Sequence, residues 1–172
     1  MKKVVQQRQT GFTLIELLIV IVLLGFLSIT GLSMFQGSIK RGRDARRKTD
    51  LSQIAKALEM YANDSITGYP ESKFNAVETG KIVGCVGTLP TACEWGGVWS
   101  RGSIYMQKLP KDPGSGSYCY QKTTKGYMLY AKLERTEDPD YNSDPNLKCP
   151  AITGEKYTYF IYSTNITPTP VP

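Results

Sequence analysis

The sequence predicts an α+β fold: one long N-terminal helix, transmembrane in its first half, whose second half packs on a small antiparallel β-sheet. Three observations predict it. Residues 17–39 form a run of 23 positions without a charge, most of them Leu, Ile, Val, Phe, Gly or Met. Helical apolar periodicity continues beyond that run to about residue 62. The C-terminal part then holds three β-favourable, tyrosine-rich runs. At 172 residues the chain has room for one domain rather than two full-sized ones. It has no histidine, which excludes His-based acid–base catalysis, Ser–His or Cys–His nucleophiles and His-ligated zinc. The four cysteines form no C-x-x-C pair, which argues against a Cys₄ zinc site. The expectation is a protein with no enzymatic activity and no required cofactor.

The N-terminal element comes first. As a helix the uncharged run would extend about 34 Å, enough for the roughly 30 Å hydrocarbon core of a bilayer. Lys2, Lys3 and Arg8 precede it, as in a secretory signal peptide. Three features oppose that reading. No small-x-small cleavage site in a polar flank follows the run, the run is longer than a signal core, and Glu16 stands near its start. An isolated carboxylate at bilayer depth costs roughly 2.5–3.5 kcal/mol. A plain signal anchor would place Glu16 in the first helical turn, where the macrodipole favours it.

Lys2-Lys3 followed by Gly11-Phe12-Thr13-Leu14-Ile15-Glu16-Leu17-Leu18 resembles the class III leader of the type IV pilin and type II secretion pseudopilin superfamily, and the chain with its later loop motifs, Tyr69-Pro70 and residues 109–113, is most similar to the major, G-type pseudopilins. The resemblance implies that residues 1–11 are a leader. A prepilin peptidase would cut between Gly11 and Phe12 and methylate Phe12. Glu16 matches the family's glutamate at the fifth mature position, and Gly25 a glycine common in its helix. Ser33 departs from the proline many members carry, so local helix melting would rely on Gly25, Gly31 and Gly37. Cleavage would create an α-amine at Phe12, with which a neighbouring subunit's Glu16 could pair during assembly.

Residues 12–35 are read as the transmembrane and assembly part of the helix, and residues 36–62 as its amphipathic continuation. Leu51, Ile54, Ala55, Leu58 and Ala62 fall on one stripe, with Lys48, Asp50, Gln53, Lys56 and Glu59 on other faces. Asn63-Asp64-Ser65, Gly68 and Pro70 end it. The resemblance makes this the stalk of the pilin lollipop. Residues 40–48 are strongly basic, with only Asp44 opposing Lys40, Arg41, Arg43, Arg46, Arg47 and Lys48. Charge counting alone would permit inverted insertion. The cleavage site and the cysteines favour the C-terminal part outside the cytoplasm. The basic band reads as a solvated, headgroup-facing or subunit-neutralised segment, with nucleic-acid binding as the sharper alternative.

Residues 63–172 form the β-rich part. Tyr69-Pro70 and Leu109-Pro110-Lys111-Asp112-Pro113 resemble the loop punctuation of major pseudopilins. Residues 117–123 and 126–133 read as a hairpin, residues 156–162 as a third strand and residues 104–106 as a short piece. Cross-strand packing accounts for the tyrosines. On an oxidising side, Cys85, Cys93, Cys119 and Cys149 read as two disulfides with three connectivities open. Cys85–Cys93 with Cys119–Cys149 is favoured because the first two share a loop-like stretch. Asp138, Asp140, Asn142 and Asp144 place oxygens at every second position, as at the start of a calcium loop. Ser143 stands where an EF-hand needs glycine and Cys149 where it needs glutamate, but major pseudopilins carry a calcium site in this general region. Against calcium stands the reading of a polar surface loop. The tail from residue 167 reads as polyproline-like.

The function implied is structural. The subunit is held in the cytoplasmic membrane, processed by the peptidase, and polymerised into a homo-oligomeric helical filament by a platform protein and an ATPase supplied elsewhere. Type II protein secretion is favoured over a surface pilus for adhesion, motility or DNA uptake. A membrane-anchored DNA-binding receptor is the third reading.

Overall fold

The computed structural model describes residues 11–73, 80–85, 91–144, 147, 149 and 156–166, with the side chains of residues 29–34 outside that description. Most of the expected leader and the tail from residue 167 therefore lie outside the described residues. The chain divides into two compact units, Met1–Ile39 and Lys40–Pro172. Helix α1 (Leu14–Asp64), 51 residues long, contributes to both and runs unbroken through Gly25, Gly31, Ser33 and Gly37. It stops where Gly68 takes φ +72° and its N–H bonds the Ser65 carbonyl, a turn that a helix cannot continue.

In the first unit, Ile15, Leu17, Leu24, Phe26 and Leu27 are all more than half exposed. Apolar surface of this extent requires a cover, either lipid or other helices. Among the described residues no helix is long and apolar enough to cross a membrane. The side chains left out, 29–34, fall in the middle of the uncharged run.

In the second unit, α1 buries Leu51, Ile54, Ala57, Leu58 and Tyr61 against Ile82, Trp99, Leu109, Tyr118, Tyr120, Tyr127, Leu129 and Ala131. The sequence suggested one small sheet; the described residues form three. Strands β1 (Ser72–Lys73), β2 (Lys81–Cys85) and β3 (Thr91–Ala92) pair antiparallel in that order. Strands β4 (Trp99–Arg101) and β5 (Ser103–Met106) form a ribbon turning at Gly102. Strands β6 (Cys119–Lys122), β7 (Tyr127–Ala131) and β8 (Tyr159–Tyr162) make the sheet the sequence did suggest. β5 covers the short piece expected at residues 104–106, while β1 to β4 carry no run of β-favourable aromatic residues like those of β6 to β8 and so escaped.

The sheets are stitched together where β2 begins. Gly80 has φ +70°, and a Cβ there would meet Cys119 Sγ at 2.7 Å, so only glycine fits. Its carbonyl accepts the Tyr120 N–H at 2.8 Å. Cys85 at the end of β2 is bonded to Cys93 just past β3, and Cys119 on β6 to Cys149. The bridges span 8 and 30 residues, respectively. Replacing both Cys119 and Cys149 by alanine should cost about 3–4 kcal/mol, against about 2–3 for Cys85 and Cys93, because the longer loop loses more denatured-state entropy. Thermal melts of the two double variants check the order; equal or reversed losses would contradict it.

Candidate functional site

The N-terminus of α1 is built by its own sequence. Gly11, Phe12 and Thr13 precede the helix, and Phe12 is 91% exposed. Thr13 is the N-cap, and Glu16 sits three residues on. The Thr13 N–H and hydroxyl both donate to Glu16 Oε2 at 2.8 Å, while Thr13 Oγ1 accepts the Glu16 N–H at 3.4 Å. This reciprocal capping box satisfies helix donors that would otherwise be orphaned. The Gly11–Phe12 peptide bond therefore lies in exposed, non-helical backbone, one residue ahead of the cap. Cutting it leaves Thr13 and Glu16 in the same chain. The sequence reading placed Glu16 in the first turn without recognising its partner. The signal was the T-x-x-E spacing ahead of an apolar run.

In the basic band, Arg43, Arg47 and Lys48 are paired with carboxylates of their own chain. Arg47 is buried and donates to Asp112 through Nε at 2.7 Å and Nη2 at 3.0 Å. Its Nη1 bonds Asp44 Oδ1 at 2.7 Å and its Nη2 bonds Glu134 Oε1 at 2.8 Å. Arg43 donates to both oxygens of Glu134. Asp44 in turn accepts the backbone N–H groups of Glu134 and Arg135. Burial works against the Arg47 charge, but its bonds to Asp112 and Glu134 outweigh that and raise its pKa. The Arg43 guanidinium, helped by Arg47, pulls the Glu134 carboxyl down to about 2. A cleft of about 640 Å³ opens beside this network, lined by Lys40, Lys132 and residues 114–116 among others.

Two of the four oxygen-bearing loop residues, Asp138 and Asp140, share a cation supplied by α1. Asp138 accepts a hydrogen bond from Lys48 Nζ, which also donates to Asp140 Oδ2 at 2.7 Å. Asp138 Oδ1 takes the Asp140 N–H at 3.0 Å, and Asn142 Oδ1 the Asp144 N–H at 2.8 Å. Among the described residues no three Cys, Asp or Glu side chains are grouped to hold a metal ion. Calcium needs six to eight oxygens around one point, and here Asp138 and Asp140 already share the Lys48 ammonium.

Two comparisons bear on the site. The model of the prokaryotic N-terminal methylation motif matches residues 6–32, a span that contains Gly11, Phe12 and Glu16. A type II secretion system core protein G from Vibrio cholerae is 32% identical over 120 residues, covering 70% of this chain and 74% of that protein. The protein of the same description from Pseudomonas aeruginosa is 31% identical over 128 residues, covering 73% of this chain and 84% of that one. The chain belongs to the type II secretion system core protein G family. A further core protein G, from Aeromonas hydrophila, is 28% identical over 113 residues. No solved structure matches the chain. In this core protein G relative the capped helix start lies within the methylation-motif match, and in the second unit a charged collar of Arg43, Asp44, Arg47, Asp112 and Glu134 links α1 to the β-rich residues.

Proposed function

We propose that this chain is a structural subunit of a type II secretion pseudopilus. A prepilin peptidase removes residues 1–11 and methylates Phe12. Residues 12–35 hold the subunit in the cytoplasmic membrane, with the β-rich part on the outer side. A platform protein and its ATPase then draw it into a homo-oligomeric helical filament. The observation that carries this reading is the exposed Gly11–Phe12 bond standing directly before a capped apolar helix, in a chain of the core protein G family. The collar argues against a DNA receptor, because Arg43, Arg47 and Lys48 already hold carboxylates of their own chain.

Intact mass on the envelope fraction and on sheared surface material tests the proposal. The expected species lacks residues 1–11, carries one added methyl, and stays with the envelope. The mature mass in sheared fibres would make the filament a surface pilus instead. An uncleaved chain in both fractions would refute processing at Gly11.

A further inference from the structure

The loop that the sequence offered to calcium is closed by a side chain of α1. We propose that Lys48 stands in for a metal ion there, so that this subunit folds and is held together without calcium. Three features carry the inference. Lys48 Nζ bridges Asp138 and Asp140, the alternating carboxylates that a bound cation would have to share. The side chains of Lys48 and Asp138 are 24% and 10% exposed, so that arm of the bridge is sheltered, while Asp140, 58% exposed, closes it from the solvent side. The same ammonium lies 5.7 Å from the centre of the Tyr159 ring, a cation–π distance. One lysine thus ties α1, the loop and the start of β8 together.

The described residues of the loop are also tied down by their own backbone. The Asn142 N–H donates to the Thr158 carbonyl at 2.7 Å, and the Tyr141 N–H to the Asp138 carbonyl at 3.0 Å. These bonds, with the turns at Asp138 and Asn142, set the loop's shape locally. Calcium would have to displace the ammonium and gather further oxygens. A tethered lysine is present at fixed effective concentration whatever the calcium level outside the cell. The inference concerns the folded subunit and does not depend on whether the filament is a pseudopilus or a pilus.

Thermal unfolding of the full chain in detergent micelles tests it, in millimolar calcium chloride and in EDTA. The wild-type Tm is expected to agree between the two to within about 1 °C. Calorimetric titration with calcium chloride should show no saturable heat. In EDTA, Lys48→Met should lower Tm by about 3–8 °C, and Lys48→Arg should retain most of it. A saturable calcium heat together with a Tm several degrees higher in calcium would overturn the proposal. An unchanged Tm for Lys48→Met would do the same. If that variant does not fold, the wild-type calcium titration still decides, since it needs no substitution.

Discussion

Replacing Arg47 by methionine is expected to lower Tm by roughly 6–20 °C. Methionine fills much of the arginine's volume, so the loss is electrostatic rather than a cavity. The Asp44 and Asp112 side chains are each 1% exposed. Without the guanidinium both carboxylates stay buried with their main counter-charge gone. Breaking a buried pair from one side costs about 3–5 kcal/mol, and each kcal/mol moves Tm about 2–4 °C in a chain of this size. The network is sheltered, so salt should scarcely alter the effect. Exposed pairs such as Lys81–Glu94, whose glutamate is 71% exposed, contribute little by contrast. The triple variant Arg47→Met, Asp44→Asn, Asp112→Asn should recover part of the loss, because amides cost less to bury than unpaired carboxylates. If Arg47→Met melts with wild type, the collar is not what holds the unit to α1.

The same collar sets an acid limit. Glu134 titrates at about 2 in the folded chain, chiefly through Arg43, and near 4.3 when unfolded. A depressed carboxyl contributes stability that is complete above its unfolded pKa and is lost as pH falls towards the folded one. Tm should therefore begin to drop below about pH 5 and continue to about pH 2. Glu134→Gln should flatten that part of the Tm profile and leave neutral pH as its most affected region. A profile identical to wild type through this window would remove Glu134 from the account.

What the sequence discloses and what it hides follow from range and chemistry. The apolar stripe at Leu51, Ile54 and Leu58 is readable because its period is local and its residues apolar. Asp44 and Arg47 continue the same three-and-four spacing into the buried face. Their chemistry reads as solvent, and only their position on the helical period gives them away. The carboxylates that pair with Arg47 from outside the helix, Asp112 and Glu134, lie 65 and 87 residues along the chain, where no local pattern points. Lys48 and its loop are 90 and 92 residues apart, so the alternating oxygens could be noticed while their cation could not. Strands β6, β7 and β8 announce themselves through tyrosine-rich runs. The segments of β1 to β4 do not, because Gly80, a disulfide and backbone bonds to neighbouring sheets hold them rather than propensity. At the helix start every part was local, and T-x-x-E was on view.

Glu16→Ala is expected to leave a subunit that is cleaved and retained in the membrane but makes at least about tenfold fewer filaments, a loss of about 1.4 kcal/mol or more per association step. Two roles meet in this carboxylate, and they can be separated. Within the chain, Oε2 accepts both donors of Thr13, which caps α1 and lowers the cost of a charge next to an apolar run. The second oxygen, Oε1, accepts no bond among the described residues and is the one available to another subunit's Phe12 amine. Glu16→Gln keeps an amide oxygen for the cap and removes the charge. Thr13→Ala keeps the charge and removes the hydroxyl, which costs about 1 kcal/mol at an N-cap. If pairing with the Phe12 amine drives assembly, Glu16→Gln should fail nearly as badly as Glu16→Ala, and Thr13→Ala should still assemble. If capping is the whole role, the order reverses, because the amide still accepts the Thr13 N–H while the alanine at 13 does not donate from its side chain. Filament yield, measured beside the mass of the processed subunit, distinguishes these cases. Normal filaments from both glutamate variants would remove the charge from the assembly mechanism altogether, since neither can neutralise an amine in hydrocarbon.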